Sequence, residues 1–176
     1  MIVLIDGRSG AGKTTFANLL GEHLPAPVVR LEDFYPGWGG LEEASRMVAR
    51  DVLNRNHPGW WRWDWVRNHR ADWQPLALGD ARDLVIEGCG ALSKAALKTA
   101  EGWGLGAVVS VYIDADPGFR RARALTRDPD FAPWWRMWAR QEEEHAARMP
   151  APDLRADGES LDAVALIEDI TRKGRS

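Results

Sequence analysis

The sequence predicts an α/β fold in which a parallel sheet is flanked by helices. Three observations predict it. Short apolar, β-branched runs recur along the chain, segments with helical periodicity separate them, and a glycine-rich loop at residues 6–15 joins the first run to the first helical segment. Such short runs are typical of strands buried on both faces, and strands that alternate with helices favour parallel pairing.

Length and composition indicate one domain over residues 1–176. A chain of 176 residues with 45% apolar content can bury one substantial core. The formal charge of −3 provides no general basic surface, so we expect no nucleic-acid partner. The single cysteine, Cys89, excludes an internal disulfide. Neither a basic and apolar leader nor a long apolar run is present, which indicates a cytoplasmic protein with no membrane partner.

The glycine-rich loop fits the phosphate-binding pattern G-x-x-x-x-G-K-[ST]. Residues 1–5 precede it as a predicted strand, and a predicted helix follows from Thr15 to His23. Its N–H groups and the positive end of the helix would form a seat for a polyphosphate. Lys13 would contact the β- and γ-phosphates, and the Thr14 hydroxyl would bind Mg²⁺. The residues predicted to bind the nucleotide are Gly7, Ser9, Gly10, Ala11, Gly12, Lys13, Thr14 and Thr15.

Two acidic residues follow the second predicted strand. Residues 27–31 form that strand, and Glu32, Asp33 and Tyr35 come directly after it. Ligands of open parallel sheets lie beyond the carboxyl ends of the strands, so this pair should lie near the phosphate loop. Carboxylates there would hold a metal or accept a proton. The alternative is a solvated strand end or a helix-capping acid.

A tryptophan-rich insertion on the substrate side is predicted at about residues 57–75. Trp61, Trp63 and Trp65 alternate with polar residues, which suggests an extended piece with the tryptophans on one side and Asp64 on the other. Such rings could stack a planar substrate, each contact contributing on the order of 1 kcal/mol. Alternatively, they pack a hairpin onto the core.

Further strands complete the predicted sheet. The run 83–88 ends at Glu87, which has the position and composition of a Walker B carboxylate that holds Mg²⁺. The alternative is an acidic turn residue. Residues 107–113 form a fourth strand, residues 151–157 a short fifth one, and the segment 133–149 a helix.

An arginine-rich lid is predicted at about residues 117–133. Arg120, Arg123 and Arg127 fall at i, i+3 and i+7, so three guanidinium groups share one helix face. That arrangement is unfavourable without an anionic partner, and a transferring phosphoryl group is such a partner. Solvated arginines paired with nearby aspartates are the alternative. His145, farther along, is interpreted as structural.

These motifs resemble the uridine kinase-like branch of the P-loop nucleoside and nucleotide kinases. The matching residues are the loop 7–15, the stretch 32–35, similar to that family's Asp-Asp-Phe-Tyr, the Ile-Glu-Gly of 86–88, and the arginine-rich segment 112–128. Residues 63–65 do not reproduce the family's Asp-His-Pro motif. The resemblance implies a P-loop NTPase three-layer sandwich with a five-stranded parallel sheet, ATP with Mg²⁺, and transfer of the γ-phosphoryl group to a hydroxyl.

We therefore expect an ATP-dependent kinase that phosphorylates a hydroxyl of a nucleoside-like or other small planar acceptor. Glu32 aligns with the family's first aspartate, the expected base, but Asp33 could serve instead. The predicted catalytic residues are Lys13, Glu32, Asp33, Arg123 and Arg127, with Arg120 in support. Thr14 and Glu87 would hold Mg²⁺. Tyr35, Trp63, Asp64 and Trp65 would contact the acceptor.

Two other functions are compatible with the sequence. One is an ATP-hydrolysing or nucleotide-binding switch that acts on a protein partner, and the other is a nucleotide binder without turnover. The paired acids and the arginine-rich lid favour an acceptor, and the intact Lys13 and Thr14 favour turnover. The chain could act as a monomer or a homodimer.

Overall fold

A five-stranded parallel sheet lies at the centre of this computed structural model, which describes residues 1–175. The strands are β1 (Ile2–Gly7), β2 (Val28–Arg30), β3 (Gly59–Asp64), β4 (His69–Pro75), β5 (Leu84–Glu87), β6 (Val108–Asp114) and β7 (Leu154–Asp157). The helices are α1 (Lys13–His23), α2 (Leu41–Met47), α3 (Lys94–Glu101), α4 (Pro117–Arg127), α5 (Trp135–Ala146) and α6 (Ala163–Gly174).

The strand order is β2-β5-β1-β6-β7, and every pairing in this sheet is parallel. The predicted α/β fold with a five-stranded parallel sheet is therefore confirmed. β1 is the central strand, with β5 on one side and β6 on the other, and the phosphate loop follows its carboxyl end. This order places the phosphate loop beside the carboxyl end of β5.

Alternation along β1 divides the core into two layers. Ile2 and Leu4 pack on one face with residues of α2 and α3, whereas Val3 and Ile5 pack on the other with residues of α1 and α6. All four side chains are fully buried. A run that is apolar at every position is suited to a strand covered by helices on both faces, which gives the three-layer arrangement.

β3 and β4 form a separate antiparallel hairpin that occupies most of the tryptophan-rich segment 57–75. Trp60 is buried in the core. Trp61 pairs with Trp73 and Trp63 with Arg70, with a register shift between the two pairs, and Trp65 lies in the turn that follows. The predicted extended conformation is confirmed, and the ring that anchors the hairpin in the core is Trp60.

Local features set the boundaries of two helices. α2 ends at Met47 and continues as a π-helical turn, Val48–Val52. α3 begins at Lys94 because the Ser93 side chain caps it, accepting a hydrogen bond from the Ala96 N–H at 3.1 Å. None of the helices within residues 1–175 is long and apolar enough to cross a membrane.

Candidate active site

A cavity of about 560 Å³ lies beyond the carboxyl ends of the strands and has two contrasting walls. We call one the phosphate-loop wall, formed by Ser9, Gly10, Gly12, Lys13, Thr14, Thr15, Glu87, Cys89, Arg123 and Arg127. We call the other the aromatic wall, formed by Tyr35, Trp38, Trp65, Phe131, Trp134 and Trp138. Glu32 and Asp130 also line the cavity.

The phosphate loop depends on glycine at two positions that no other residue could occupy without strain. Gly10 and Gly12 have φ angles of 82° and 101°. A Cβ atom on Gly10 would lie 2.1 Å from the carbonyl oxygen of Arg120, so the loop packs directly against α4. A Cβ on Gly12 would lie 3.5 Å from Arg123 Nη1. The second contact places a lid guanidinium over the mouth of the loop. Of the other predicted loop residues, Gly7 and Ala11 are buried and do not line the cavity.

Lys13 lies inside the loop and is only 7% exposed. Its Nζ donates a hydrogen bond to the carbonyl oxygen of Arg8 at 3.0 Å and lies 3.5 Å from Cys89 Sγ. Burial alone would lower the pKa of Lys13, but the neighbouring acidic groups Cys89 and Glu87 outweigh burial and raise it. The ammonium group is therefore held charged, as a phosphate contact requires.

Thr14 and Glu87 lie together at the start of α1 and the end of β5. The Thr14 hydroxyl donates a hydrogen bond to Glu87 Oε1 at 3.0 Å, and Glu87 pairs in register with Ile5 of β1. Burial raises the pKa of Glu87, while Lys13 and the Thr14 hydrogen bond oppose that shift. A buried carboxylate with a hydroxyl beside it fits Mg²⁺, which commonly binds through one or two protein oxygens and substrate phosphates. Within residues 1–175, no group of three or more His, Cys, Asp or Glu side chains could hold a metal by itself.

The two candidate bases occupy different places. Both belong to the short 3₁₀ turn Leu31–Asp33 that follows β2, but Glu32 lines the cavity and Asp33 does not. The Glu32 carboxylate makes no hydrogen bond or ion pair with another residue of the described range 1–175, while its carbonyl oxygen accepts a hydrogen bond from Trp65 Nε1 at 3.2 Å. Its charge also raises the pKa of Glu87, after the larger effect of burial. Glu32 therefore lies between the two walls.

The side chains of the three lid arginines do not all line the cavity. Arg123 and Arg127 line the cavity, but Arg120 is 3% exposed and points away from it. Arg120 Nε lies 3.1 Å from Asp114 Oδ1, and its Nη1 donates to the carbonyl oxygen of Ser9 at 3.4 Å. The structure places Arg120 outside the cavity, and its contact with the nucleotide stays a prediction. Because Arg120 lies in the first turn of α4, next to the end of β6, its guanidinium group supports the loop from behind.

α5 fixes the loop through two buried side chains that the sequence did not single out as functional. Glu142 Oε1 accepts hydrogen bonds from the Ser9 N–H at 2.7 Å and from the Cys89 thiol at 3.3 Å. His145 Nε2 lies 2.8 Å from Asp6 Oδ2, in keeping with the structural interpretation of His145. Their spacing of three residues on one helix was a weak signal, since Ser9 and Asp6 lie more than a hundred residues away in the sequence.

The predicted acceptor residues divide into two pairs. Tyr35 and Trp65 line the cavity, whereas Trp63 and Asp64 do not. Asp64 Oδ1 accepts hydrogen bonds from the N–H groups of Val66 and Arg67, at 3.0 and 2.8 Å. The carboxylate thus caps the hairpin turn, a common role for aspartate, and its contact with the acceptor stays a prediction.

Sequence reasoning singled out Tyr35 and Trp65 of the aromatic wall but missed its other four members, Trp38, Phe131, Trp134 and Trp138. Trp38 is at its centre: its ring stacks on Phe131 at 5.1 Å and 13°, and on Trp134 at 5.8 Å and 10°. Trp65 lies 5.0 Å from the same ring. Trp138 meets Trp38 edge-on, and Tyr35 meets Trp138 edge-on. The abundance of tryptophan was visible in the sequence, but the convergence of separate segments on Trp38 was not.

Comparison with known proteins supports the fold. No protein-family model matches the chain. Uridine kinase from Ureaplasma urealyticum serovar 10 is 32% identical over 76 residues, which are 41% of this chain and 35% of that protein. The match therefore spans about a third of the relative's length.

Solved kinase structures match the whole chain. Shikimate kinase from Bacteroides thetaiotaomicron aligns with a TM-score of 0.57 and 14% identity, covering 98% of this chain and 97% of that one. A gluconokinase from Sinorhizobium meliloti aligns with a TM-score of 0.55 and 13% identity, covering 99% and 93%. Identities this low show the fold alone. The chain has the three-layer α/β fold of the P-loop kinases.

Proposed function

We propose that this chain is an ATP-dependent kinase that transfers the γ-phosphoryl group to a hydroxyl of a small, nucleoside-like or other planar acceptor. One observation carries the proposal: the same cavity is lined by the phosphate-loop wall and by the aromatic wall, and between them lies Glu32, whose carboxylate has no partner within residues 1–175. The similarity to a uridine kinase and the fold shared with kinases of small molecules support it.

The phosphate-loop wall would bind the nucleotide. N–H groups from Gly12 to Thr15 at the amino-terminal end of α1 provide donors for the phosphate oxygens, and the charged Lys13 ammonium lies among them. Arg123, already over the mouth of the loop, and Arg127, one turn later on α4, would contact the γ-phosphate. Transfer of this kind relies on positioning and on charge stabilisation, which this wall offers.

Thr14 and Glu87 would hold Mg²⁺. Their hydrogen bond at 3.0 Å brings two hard oxygen donors to one side of the loop, and the buried Glu87 carboxylate has a raised pKa that a nearby cation would lower. When bound, Mg²⁺ neutralises and orients the phosphate oxygens.

Glu32 would act as the base. The acceptor oxygen forms a bond to the γ-phosphorus as the bond from that phosphorus to the bridging oxygen of ADP breaks, and the hydroxyl proton passes to the Glu32 carboxylate. Glu32 is suited to this because it lines the cavity and has no partner within residues 1–175 that its carboxylate would have to release. Asp33 lies outside the cavity and serves as a natural comparison.

A coupled ADP-release screen over nucleosides, nucleoside monophosphates and vitamin-like alcohols tests the proposal. We expect release that depends on both Mg²⁺ and one class of acceptor. ADP release at the same rate without any acceptor would contradict the proposal and favour the nucleotide switch. A cytoplasmic location and a monomeric or homodimeric state belong to the proposal, and sedimentation of the purified chain tests the oligomeric state.

A further inference from the structure

The two arginines that line the cavity are placed by their helix and not by ion pairs of their own. Within residues 1–175, Arg127 makes no hydrogen bond, ion pair or ring contact, and the Arg123 guanidinium group only lies over the Phe119 ring of the same helix, at 5.4 Å. Arg120, by contrast, is held by the Asp114 carboxylate. The places of the two cavity arginines therefore depend on where α4 lies.

The two ends of α4 are held in different ways. Its first turn is capped by Asp116, whose side chain accepts hydrogen bonds from two N–H groups of the helix, and Gly10 of the phosphate loop packs against it. Its last residue, Arg127, leads into the 3₁₀ turn Pro129–Phe131. Phe131 is the first buried residue after the helix. This ring therefore ties the carboxyl-terminal end of α4 to the rest of the molecule.

Trp38 is the surface on which that end of α4 rests. Its ring stacks on Phe131 and on Trp134, and both pairs are nearly parallel. The Trp38 backbone is held from another direction, since its carbonyl oxygen accepts a hydrogen bond from Gln141 Nε2 of α5 at 2.8 Å. Parallel rings contact each other over their faces. A flat, fixed ring at position 38 therefore sets both the height and the tilt of the segment that follows α4.

We infer that Trp38 is a positioning residue for the arginine-rich lid. Its stacked contacts set where the carboxyl-terminal end of α4 lies, and thereby hold Arg123 and Arg127 over the phosphate loop. The inference rests on the proposed kinase function, because that function gives these arginines the γ-phosphate as their ligand. Stabilisation of a transferring phosphoryl group depends on placement, and a displacement of about 1 Å can cost on the order of a hundredfold. Trp38 acts through the arginines and does not contact the phosphates.

The affinity for a triphosphate relative to a diphosphate tests the inference without any acceptor. Calorimetric titrations use ADP and its non-hydrolysable triphosphate analogue AMP-PNP, both with saturating Mg²⁺, because only the analogue carries a γ-phosphate. We expect Arg127→Ala to reduce the preference for AMP-PNP by about tenfold. Trp38→Leu should reduce it by about fivefold and leave the affinity for ADP unchanged. Unchanged ADP affinity shows that the phosphate loop of this variant is folded.

Matched variants separate positioning from general packing. Trp103→Leu is the control, because Trp103 is also a partly buried tryptophan packed against the same core but lies outside the cavity. It should leave the preference unchanged, and Trp38→Phe, which keeps a flat ring, should retain most of it. Phe131→Leu removes the stacked contact from the lid side and should match Trp38→Leu, so the contact is tested even if Trp38→Leu does not fold. Adding Trp38→Leu to Arg127→Ala should cause little further loss.

The possible failures are distinguishable. If Arg127→Ala abolishes the preference while Trp38→Leu and Phe131→Leu leave it intact, the inference is overturned and the kinase proposal stands. An equal loss in Trp103→Leu would also overturn the inference, because it would show a general effect of packing. If the unaltered chain binds neither nucleotide, the kinase proposal fails and the inference fails with it.

Discussion

The two walls of the cavity are built in different ways. The phosphate-loop wall uses consecutive residues after β1 and a carboxylate at the end of the adjacent strand β5, so sheet pairing alone brings Lys13, Thr14 and Glu87 together. The aromatic wall takes rings from the loop after β2, the hairpin turn, the segment after α4, and α5. Local sequence therefore encodes the phosphate-loop wall, whereas tertiary packing encodes the aromatic wall.

The walls also differ in how their charges are compensated. Lys13 and Glu87 are buried and interact with other charged groups, and Glu142 and Arg120 support the loop from behind. Glu32 and Asp130, by contrast, have no ion-pair partner within residues 1–175. Substitutions on the phosphate-loop wall should therefore affect turnover and folding, while substitutions on the aromatic wall should affect mainly the KM for the acceptor.

Loss of the loop lysine should have the largest effect. We expect Lys13→Ala to reduce kcat by about a thousandfold, because one preorganised charge on the transferring phosphate is removed. The coupled ADP-release assay measures the loss. Lys98→Ala, an exposed change on α3, is the control and should retain activity. Full turnover by Lys13→Ala would show that this wall does not bind the reacting phosphates.

The single cysteine reports on burial of the phosphate-loop wall. Burial raises the pKa of Cys89 to about 12, so its thiol stays neutral at pH 8. Alkylation by iodoacetamide should be about a thousandfold slower than for a free cysteine of pKa about 8.5, and its rate should continue to rise up to pH 10.

The same shift predicts a stability change. When the pKa of an acid is higher in the folded state than in the unfolded state, the folded state loses stability as pH rises above the unfolded pKa. Cys89 should therefore lower the unfolding free energy above about pH 8.5.

Mass spectrometry follows the labelling of Cys89 by iodoacetamide. A rate that levels off near pH 9 would show an ordinary, exposed thiol.

Removal of the α5 support should destabilise the protein. Glu142→Ala leaves the Ser9 N–H without its acceptor and removes the carboxylate that lies 3.8 Å from the buried Arg120 guanidinium, which should cost about 3 kcal/mol of unfolding free energy. Urea denaturation measures the loss. Glu143→Ala, the exposed neighbour, should change stability by less than about 0.5 kcal/mol. Equal stabilities would show that α5 does not support the loop.

The two acids after β2 should differ sharply. Glu32→Gln should reduce kcat by about a hundredfold through loss of the base, whereas Asp33→Asn should retain most activity because Asp33 lies outside the cavity. The pair is measured under identical conditions with the acceptor found in the screen. A large loss for Asp33→Asn alone would reverse the assignment.

The smallest effect should come from the aromatic wall. Trp65→Phe should raise the KM for the acceptor by about fivefold, equivalent to about 1 kcal/mol, with kcat unchanged. Acceptor binding should also quench the intrinsic fluorescence. The matched control is Trp61→Phe, since Trp61 packs against Trp73 on the hairpin outside the cavity. The same change in KM for both variants would place acceptor binding elsewhere.

The fold and the phosphate-loop wall were predictable because their signals are local. An apolar run, a glycine pattern and a helix specify β1, the loop and α1 in one continuous stretch. Glu87 was identified because it ends an apolar strand, and parallel pairing brings strand ends together. These arguments need no knowledge of distant contacts.

The remaining features depend on tertiary contacts or on local hydrogen bonds that composition does not specify. Helical spacing grouped Arg120 with Arg123, but the neighbouring Asp114 carboxylate holds Arg120 behind the loop. Asp64 caps a turn through two backbone N–H groups. The convergence of rings on Trp38 depends on packing between segments that are far apart in the sequence.

Transfer of labelled phosphate tests the central claim most directly. The chain is incubated with Mg²⁺, ATP labelled in the γ-phosphate, and the acceptor panel, and the products are separated. We predict that the label appears in an organic phosphate monoester and that Lys13→Ala abolishes its formation. Label found only in inorganic phosphate, or retained in ATP with every acceptor, would contradict the claim that the two walls cooperate in phosphoryl transfer.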